Sequence, residues 1–532
     1  MLVLPHTGIR VEFMESLLIS TQSLGLAMGG LLLFLLAGAI SVFWVWPAET
    51  WRRLRRNGFG GPSPLFPLGN LMEMSKKGEA PSPVSSSITH DIHSSVFPYF
   101  SRWRNAYGKV FVYWLGTEPF LYIADPEFLK SATSGSMGKK WGKPNVFKHD
   151  RKPMFGSGLV MVDGDDWTHH RHIISPAFSM TNLNAMMRAM EETTYKMLNE
   201  WSEQVASGRR EIDVDESITK NAAEIIAKTS FGISEENGKR VFEKLQLMQK
   251  MLFKSNRLVG VPFSKLLCAK RSYEAWKLGK EIDQLLFAII SSRKEEDNSN
   301  TQQDLLGLLL AGNQESAQLE RKLTIRELVD ECKTFFFGGH ETTALALSWT
   351  LLLLALYPEW QTTLREEVME VSGGRPLDPS MLSKLTKMGW VWNEVLRLYS
   401  PAPNVQRQAR EDVHVGDMVI PKGTNMWIDV VGMHHDPALW GDDVNEFKPE
   451  RFKENLHGGC KHRMGYLPFG FGGRICVGRN LTLMEFKIVL SLILRRFSLS
   501  LSPTYSHSPR IMLSLRPSHG VQLILSNIEE AN

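Results

Sequence analysis

The chain has 532 residues, 43% hydrophobic and 22% charged, a composition that excludes an intrinsically disordered protein and is enough for a large core. Its 61 basic and 57 acidic residues leave a net charge of +4, too little over this length for a nucleic-acid binder. The four cysteines, Cys268, Cys332, Cys460 and Cys476, contain no C-x-x-C, which argues against a disulfide framework or a zinc ribbon.

The first element is apolar. No charge falls between Glu15 and Glu49, and Leu24 to Trp46 provides about 23 residues, roughly 34 Å of helix, enough to cross a bilayer. We expect a short luminal N-terminus over 1–23 and one transmembrane anchor over 24–46. A cleaved signal peptide fits less well, because the preceding flank (Arg10, Glu12, Glu15) is net acidic and the apolar run is too long. The arginines of "WRRLRR", Trp51 to Arg56, place the body that follows on the cytosolic side. Residues 47–70 read as a basic, Pro/Gly-rich hinge, since "GFGGPSPLFPLGN" (Gly58 to Asn70) stops a helix and makes a stiff turn.

Beyond residue 100 helices dominate, with amphipathic runs at Leu183 to Val205 and Arg240 to Leu252 and an apolar run at Leu345 to Leu356. Strands are expected at Lys109 to Gly116, Phe120 to Ala124, Val413 to Gly423 and Gly520 to Ser526, so the fold class is mainly α with a small β region. Cys268 and Cys332 fall in helix-like apolar sequence and are expected to be buried. His169, His170 and His172 read as solvent-facing rather than as a metal site. The tract Ser291 to Asp304 reads as an exposed loop. There is no Walker loop and no dinucleotide fingerprint, so an oxidoreductase built on this chain takes its electrons from a partner.

Late in the chain, "PFGFGGRICVG" (Pro468 to Gly478) sets Cys476 among four glycines, just before a helical run. A thiolate ligand of haem iron needs this setting. Glycines let the backbone approach, a helix N-terminus stabilises the sulfur anion, Arg474 can reach a propionate and Phe469 can cover the ring. Residue by residue, Phe469, Gly472, Arg474, Cys476 and Gly478 resemble the haem-binding signature of the cytochrome P450 monooxygenases.

The resemblance extends over nearly the whole chain. It implies the cytochrome P450 fold over residues 71–532, with haem b as cofactor and Cys476 as the axial metal ligand. "GGHETT" (Gly338 to Thr343) resembles the oxygen-activating segment, where Glu341 and Thr342 would relay protons beside a local widening of the helix. Glu394, Arg397 and Arg451 resemble the buried network that locks the fold. Trp167 and Arg171, and also Arg407, would hold propionates.

Plant microsomal members are most similar, and "THDIHSSVFPYFSRW" and "SLSPTYSHSPRIMLSLRP" resemble the cytokinin-hydroxylase and gibberellin-oxidase branches. The implied activity is hydroxylation of an apolar small molecule with dioxygen and electrons from NADPH-cytochrome P450 reductase, at the endoplasmic reticulum membrane. A fatty-acid hydroxylase and a non-catalytic haem sensor are the alternatives. The substrate pocket is expected from Gly135 to Val162, Phe336, Phe337, Ala402 to Val405 and the region of His507.

Overall fold

Apolar residues three and four apart turn most of the chain into helices whose buried stripes share a core. The computed structural model describes residues 26–75, 88–134, 140–232, 235–253, 258–295, 304–315 and 321–528. The expected luminal segment, the first two residues of the anchor and Gly135 lie outside the described residues.

Helix α1 (Leu26–Arg56) runs through the apolar segment and on through the four arginines. It stops at Asn57, and Gly58 follows with φ +89°, a conformation that glycine adopts at no steric cost. The Gly/Pro stretch is then laid along strand β1 (Val110–Leu115): Val112 N–H donates to Gly60 at 2.8 Å, and Asn70 exchanges bonds with the Trp114 backbone at 2.9 Å. Pairing covers a sheet edge that would otherwise be open.

The remaining strands are β2 (Glu118–Ile123), β3 (Trp141–Gly142), β4 (Glu211–Asp213), β5 (Asn404–Ala409), β6 (Val413–Val415), β7 (Met418–Ile420), β8 (Asn425–Asp429), β9 (Phe497–Leu501), β10 (Pro509–Met512), β11 (Ser514–Pro517) and β12 (Gln522–Asn527). They form a five-stranded sheet of order β1-β2-β8-β5-β3, a three-stranded sheet β4-β12-β9, and the hairpins β6-β7 and β10-β11. The four expected strands correspond to β1, β2, the β6-β7 hairpin and β12.

The helices that frame the site are α2 (Asn145–Phe155), α3 (Gly164–Ile174), α4 (Met180–Ala206), α5 (Val214–Phe231), α6 (Glu235–Phe253), α7 (Ala269–Glu295), α8 (Ile325–Leu356), α9 (Thr386–Leu398) and α10 (Arg479–Arg496). The polar tract at Ser291 departs from expectation, because its first five residues continue α7; residues 296–303 lie outside the described residues. Cys332 is buried on α8, as expected, but Cys268 is only half-buried, because it caps a short turn ahead of α7 instead of facing the core.

Helix α8 opens on a capping box between Thr324 and Glu327 and crosses the core along α5. Its two adjacent glycines have different causes. A Cβ on Gly339 would lie 2.3 Å from Ile226 Cδ1 of α5, so this glycine is a packing notch. A Cβ on Gly338 would meet nothing within 4 Å, so that face borders open space. The helix stays α-helical through both residues, without the expected widening.

Glu394 and Arg397 of α9 are fully buried and paired bidentately, at 2.7 and 2.8 Å. Arg397 also donates to the carbonyls of His434 (3.1 Å), Val444 (2.6 Å) and Glu446 (3.2 Å), while Arg451 reaches Glu394 at 3.4 Å. The substitution Glu394→Gln strands the buried guanidinium and is expected to lower the unfolding free energy by about 3–5 kcal/mol, read by urea denaturation. A loss below about 1 kcal/mol would mean that the network does not hold the fold.

Candidate active site

Tight turns fold the cysteine segment back on itself. Gly470 (φ +75°) and Gly472 (φ +63°) reverse the chain, so that Cys476 N–H donates to Phe469 O at 3.0 Å. Helix α10 begins at Arg479, and the backbone N–H groups of Gly478 and Arg479 lie on the side of the sulfur and favour its anion. Burial pushes the thiol pKa up, while these N–H groups and the Arg171 guanidinium act in the opposite sense. The thiol nevertheless keeps accessible surface, which places it on the wall of a recess and not inside packed core. Phe469 leans on Trp392 with ring centroids 6.2 Å apart, and Trp392 on Phe486 at 4.4 Å.

Above this segment lies an excess of positive charge. Arg474 donates to Val162 O at 2.9 Å and its guanidinium stacks on Trp167 at 4.8 Å, but its Nε has no partner among the described residues. Arg407, also buried, donates to Gln406 O at 2.9 Å. Arg151 donates to Gln406 Oε1 at 3.1 Å, and its Nε is likewise unpartnered. Burial lowers all three guanidinium pKa values to about 10, and for Arg407 the charge of Arg474 adds to the effect. Half-buried Lys143 is pushed well below its ordinary value by burial and by the three arginines.

The acid among them, Asp163, pairs with Arg474 at 3.4 Å but also serves Lys148, Arg410 and the Lys143 N–H. One carboxylate shared among several cations leaves part of their buried charge uncompensated, at a cost of several kcal/mol. The arrangement therefore suits a ligand bearing carboxylates beside the thiol, and a haem with its two propionates fits it.

Of the residues singled out in the sequence, Trp167, Arg171, Arg474, Phe469 and Cys476 do come together: Arg171 of α3 donates to Ile475 O at 2.8 Å and so clamps the cysteine segment. Thr342 and Gly338 share the face of α8 that borders open space, and the Thr342 hydroxyl donates to Gly338 O at 2.8 Å. Thr343 touches Thr482 of α10 at 3.5 Å, which ties this stretch of α8 to the helix that follows Cys476.

Glu341 sits differently. One of its oxygens accepts from Gln249 of α6 at 2.9 Å and from Ser514 and Arg516 of β11. Burial alone would raise its pKa; Arg516 and its other partners outweigh that and hold it below the ordinary carboxylate range. The carboxylate is thus ionised and paired in this state.

Sequence reading gave no individual role to Lys143, Arg151, Asp163, Gln249, Ser514 or Arg516, although Lys143 and Arg151 fall in the stretch expected to line the pocket, because single polar residues carry no local motif. It also misjudged one histidine. His170 is buried, with Nδ1 2.6 Å from Glu331 of α8, because α3 packs that face against the start of α8. His434 was overlooked too: its Nδ1–H donates to Arg397 O at 3.2 Å and its Nε2 accepts from Leu467 N–H at 3.0 Å, so the cysteine segment hangs from the α9 network.

The profile of the family described as Cytochrome P450 matches residues 83–525. A cytokinin hydroxylase of Arabidopsis thaliana is 39% identical over 505 residues, covering 93% of this chain and 96% of that protein. Cytochrome P450 714C2 of Oryza sativa subsp. japonica is 35% identical over 92% of this chain and 95% of its own, and cytochrome P450 734A1 of Arabidopsis thaliana is 34% identical over 94% and 96%.

Burial, with help from His435 and Arg397, lowers His434 from 6.5 to about 3; burial and His507 lower His90 to about 4. Below pH 6.5 the unfolded chain takes up protons that the folded chain refuses, so stability present above pH 6.5 drains away as pH falls toward 4. Together the two groups are expected to remove about 3–4 kcal/mol of unfolding free energy between pH 7 and pH 5. Urea titrations at the two pH values measure this, and His434→Gln should remove about half of the difference.

Proposed function

This chain belongs to the cytochrome P450 family of haem-dependent monooxygenases, and from that premise we propose that it hydroxylates a C–H bond of an apolar plant hormone, a cytokinin or a gibberellin. The observation that carries the site assignment is the cationic cluster Arg151, Arg407 and Arg474, whose acid Asp163 is shared with Lys148 and Arg410, beside an accessible Cys476. When bound, the haem supplies dioxygen activation and C–H oxidation.

The chain's own residues do the rest. Cys476 provides the thiolate, and the N–H groups of Gly478 and Arg479 disperse its charge. Arg407 and Arg474 receive the propionates, helped by Trp167 beneath Arg474 and by Arg171 holding Ile475. Thr342 holds a hydroxyl on the open face of α8, where it would hand on protons for the chemistry that the haem supplies. Glu341 passes protons to it after loosening from Arg516.

The bilayer-length α1, with its cytosolic arginines, supports a single-pass anchor in the endoplasmic reticulum membrane. Exposed Lys461, Arg463 and Arg479, on the cysteine side, suit an acidic face of NADPH-cytochrome P450 reductase. The substrate reading leans on the cytokinin hydroxylases among the relatives.

The purified full-length protein is expected to hold one haem per chain and to give the red-displaced carbonyl band of a sulfur-ligated centre; Cys476→Ala should abolish that band. Cytokinins and gibberellins should shift its resting spectrum, and a shift with mid-chain fatty acids alone would overturn the hormone reading. Thr342→Ala should keep haem but divert reducing equivalents to peroxide, read as the ratio of product to NADPH consumed, and an unchanged ratio would refute the relay.

A further inference from the structure

A groove of about 1600 Å³ lies away from Cys476, between α1, the β1–β2 turn, α2, the 258–268 segment and α7. Two of its wall residues, Val42 and Trp46, belong to α1 and close its apolar run. They lie about 6 Å apart along the axis, just ahead of the cytosolic arginines, and so at the depth of lipid headgroups.

The opposite wall is apolar and turned outward. Phe263 and Leu266 are 63% and 74% exposed, and the Phe263 ring lies 6.0 Å from Phe43 of the anchor. Phe263 holds φ +59°, an unfavourable conformation for a bulky residue, which keeps the side chain on this surface. Leu267 and Trp276 extend the patch. Exposed apolar surface of this extent, continuous with a membrane helix, has lipid as its natural neighbour.

The upper rim is cationic. Lys152, Lys265 and Lys280 line it without a carboxylate partner among the described residues, and Arg271 bonds only the carbonyls of Met251 and Leu252. The groove's acids are already engaged. Asp283 and Asp330 pair with Arg326 and Lys333, Glu327 pairs with Arg321, Glu118 accepts from Asn425, and Asp150 has a partner.

We propose that this groove binds one glycerophospholipid with a net negative headgroup, drawn from the bilayer. Its phosphate and carboxylate sit against Lys152, Lys265 and Lys280, and its chains lie along Val42, Trp46, Phe263 and Leu266. The site is separate from the haem recess, and it rests on the anchor reading above.

The test uses the full-length holoenzyme in nanodiscs of phosphatidylcholine containing a minor fraction of phosphatidylserine, with native mass spectrometry of the lipid retained after mild detergent extraction. Phosphatidylserine is expected to be retained in preference to phosphatidylcholine. The triple variant Lys152→Gln, Lys265→Gln, Lys280→Gln should weaken that retention about 100-fold while its carbonyl spectrum stays unchanged. Equal retention of the two lipids, or undiminished phosphatidylserine in the variant, overturns the proposal. So does displacement of the lipid by inorganic phosphate, which would mark a simple anion site. Release of the protein from vesicles by alkaline carbonate would instead bring down the anchor reading and this site with it, whereas a firmly inserted protein without lipid preference brings down this site alone.

Discussion

Arg397 has no water to fall back on. Its guanidinium is fully buried, and its bonds go to one carboxylate and to three backbone carbonyls from the long irregular stretch ahead of the cysteine. A rigid planar fork can fix several loops at once where a lysine ammonium could not. Because a buried ion pair contributes little net stability over a well-packed apolar replacement, its value here is positional. Order passes from Arg397 through His434 to Leu467, and from there into the turn that carries Cys476.

The arginines above the cysteine are in the opposite condition. Where Arg397 is saturated, Arg474 and Arg151 each keep a buried nitrogen without a partner among the described residues, Arg474 shares Asp163 with Lys148 and Arg410, and Arg407 donates to the Gln406 carbonyl. The contrast separates two uses of buried charge: one group is complete within the protein and serves the fold, while the other waits for charge from outside and serves a ligand. Glu341 belongs to the first kind as it stands, since Arg516, Ser514 and Gln249 all converge on one of its oxygens. That convergence joins α8 to α6 and to the β10-β11 hairpin.

Long helices were legible because apolar spacing is a local property, as α4 and α6 illustrate, and the cysteine turn was legible because its glycines and its thiol fall within eleven residues. Strands β5 and β8 were not. They pair with each other, but their outer neighbours, β3 for β5 and β2 for β8, lie hundreds of residues away, and neither strand carries an alternating pattern strong enough to announce itself. The double glycine on α8 was read as one feature, although it is two: a notch for Ile226 and an opening beside Thr342. His170 was misread because three neighbouring histidines give no hint of which one the facing helix will cover. The two phrases read as branch-specific prove to be neighbours in space, since His90 and His507 both meet the Tyr399 hydroxyl.

The end of α1 is not a tether. Leu54 is completely buried, Trp51 packs edge-on against Trp114, and Arg53 pairs with Asp412, so the last turns of this helix are part of the body that follows them. On the anchor proposed above, a body mounted on such a mast would inherit the mast's tilt, and it could swivel about the bilayer normal but not roll over. Its encounters would then take place on a plane instead of in a volume, with the same side always downward, and a molecule dissolved in the leaflet would meet the groove beside Val42 and Trp46 at constant height.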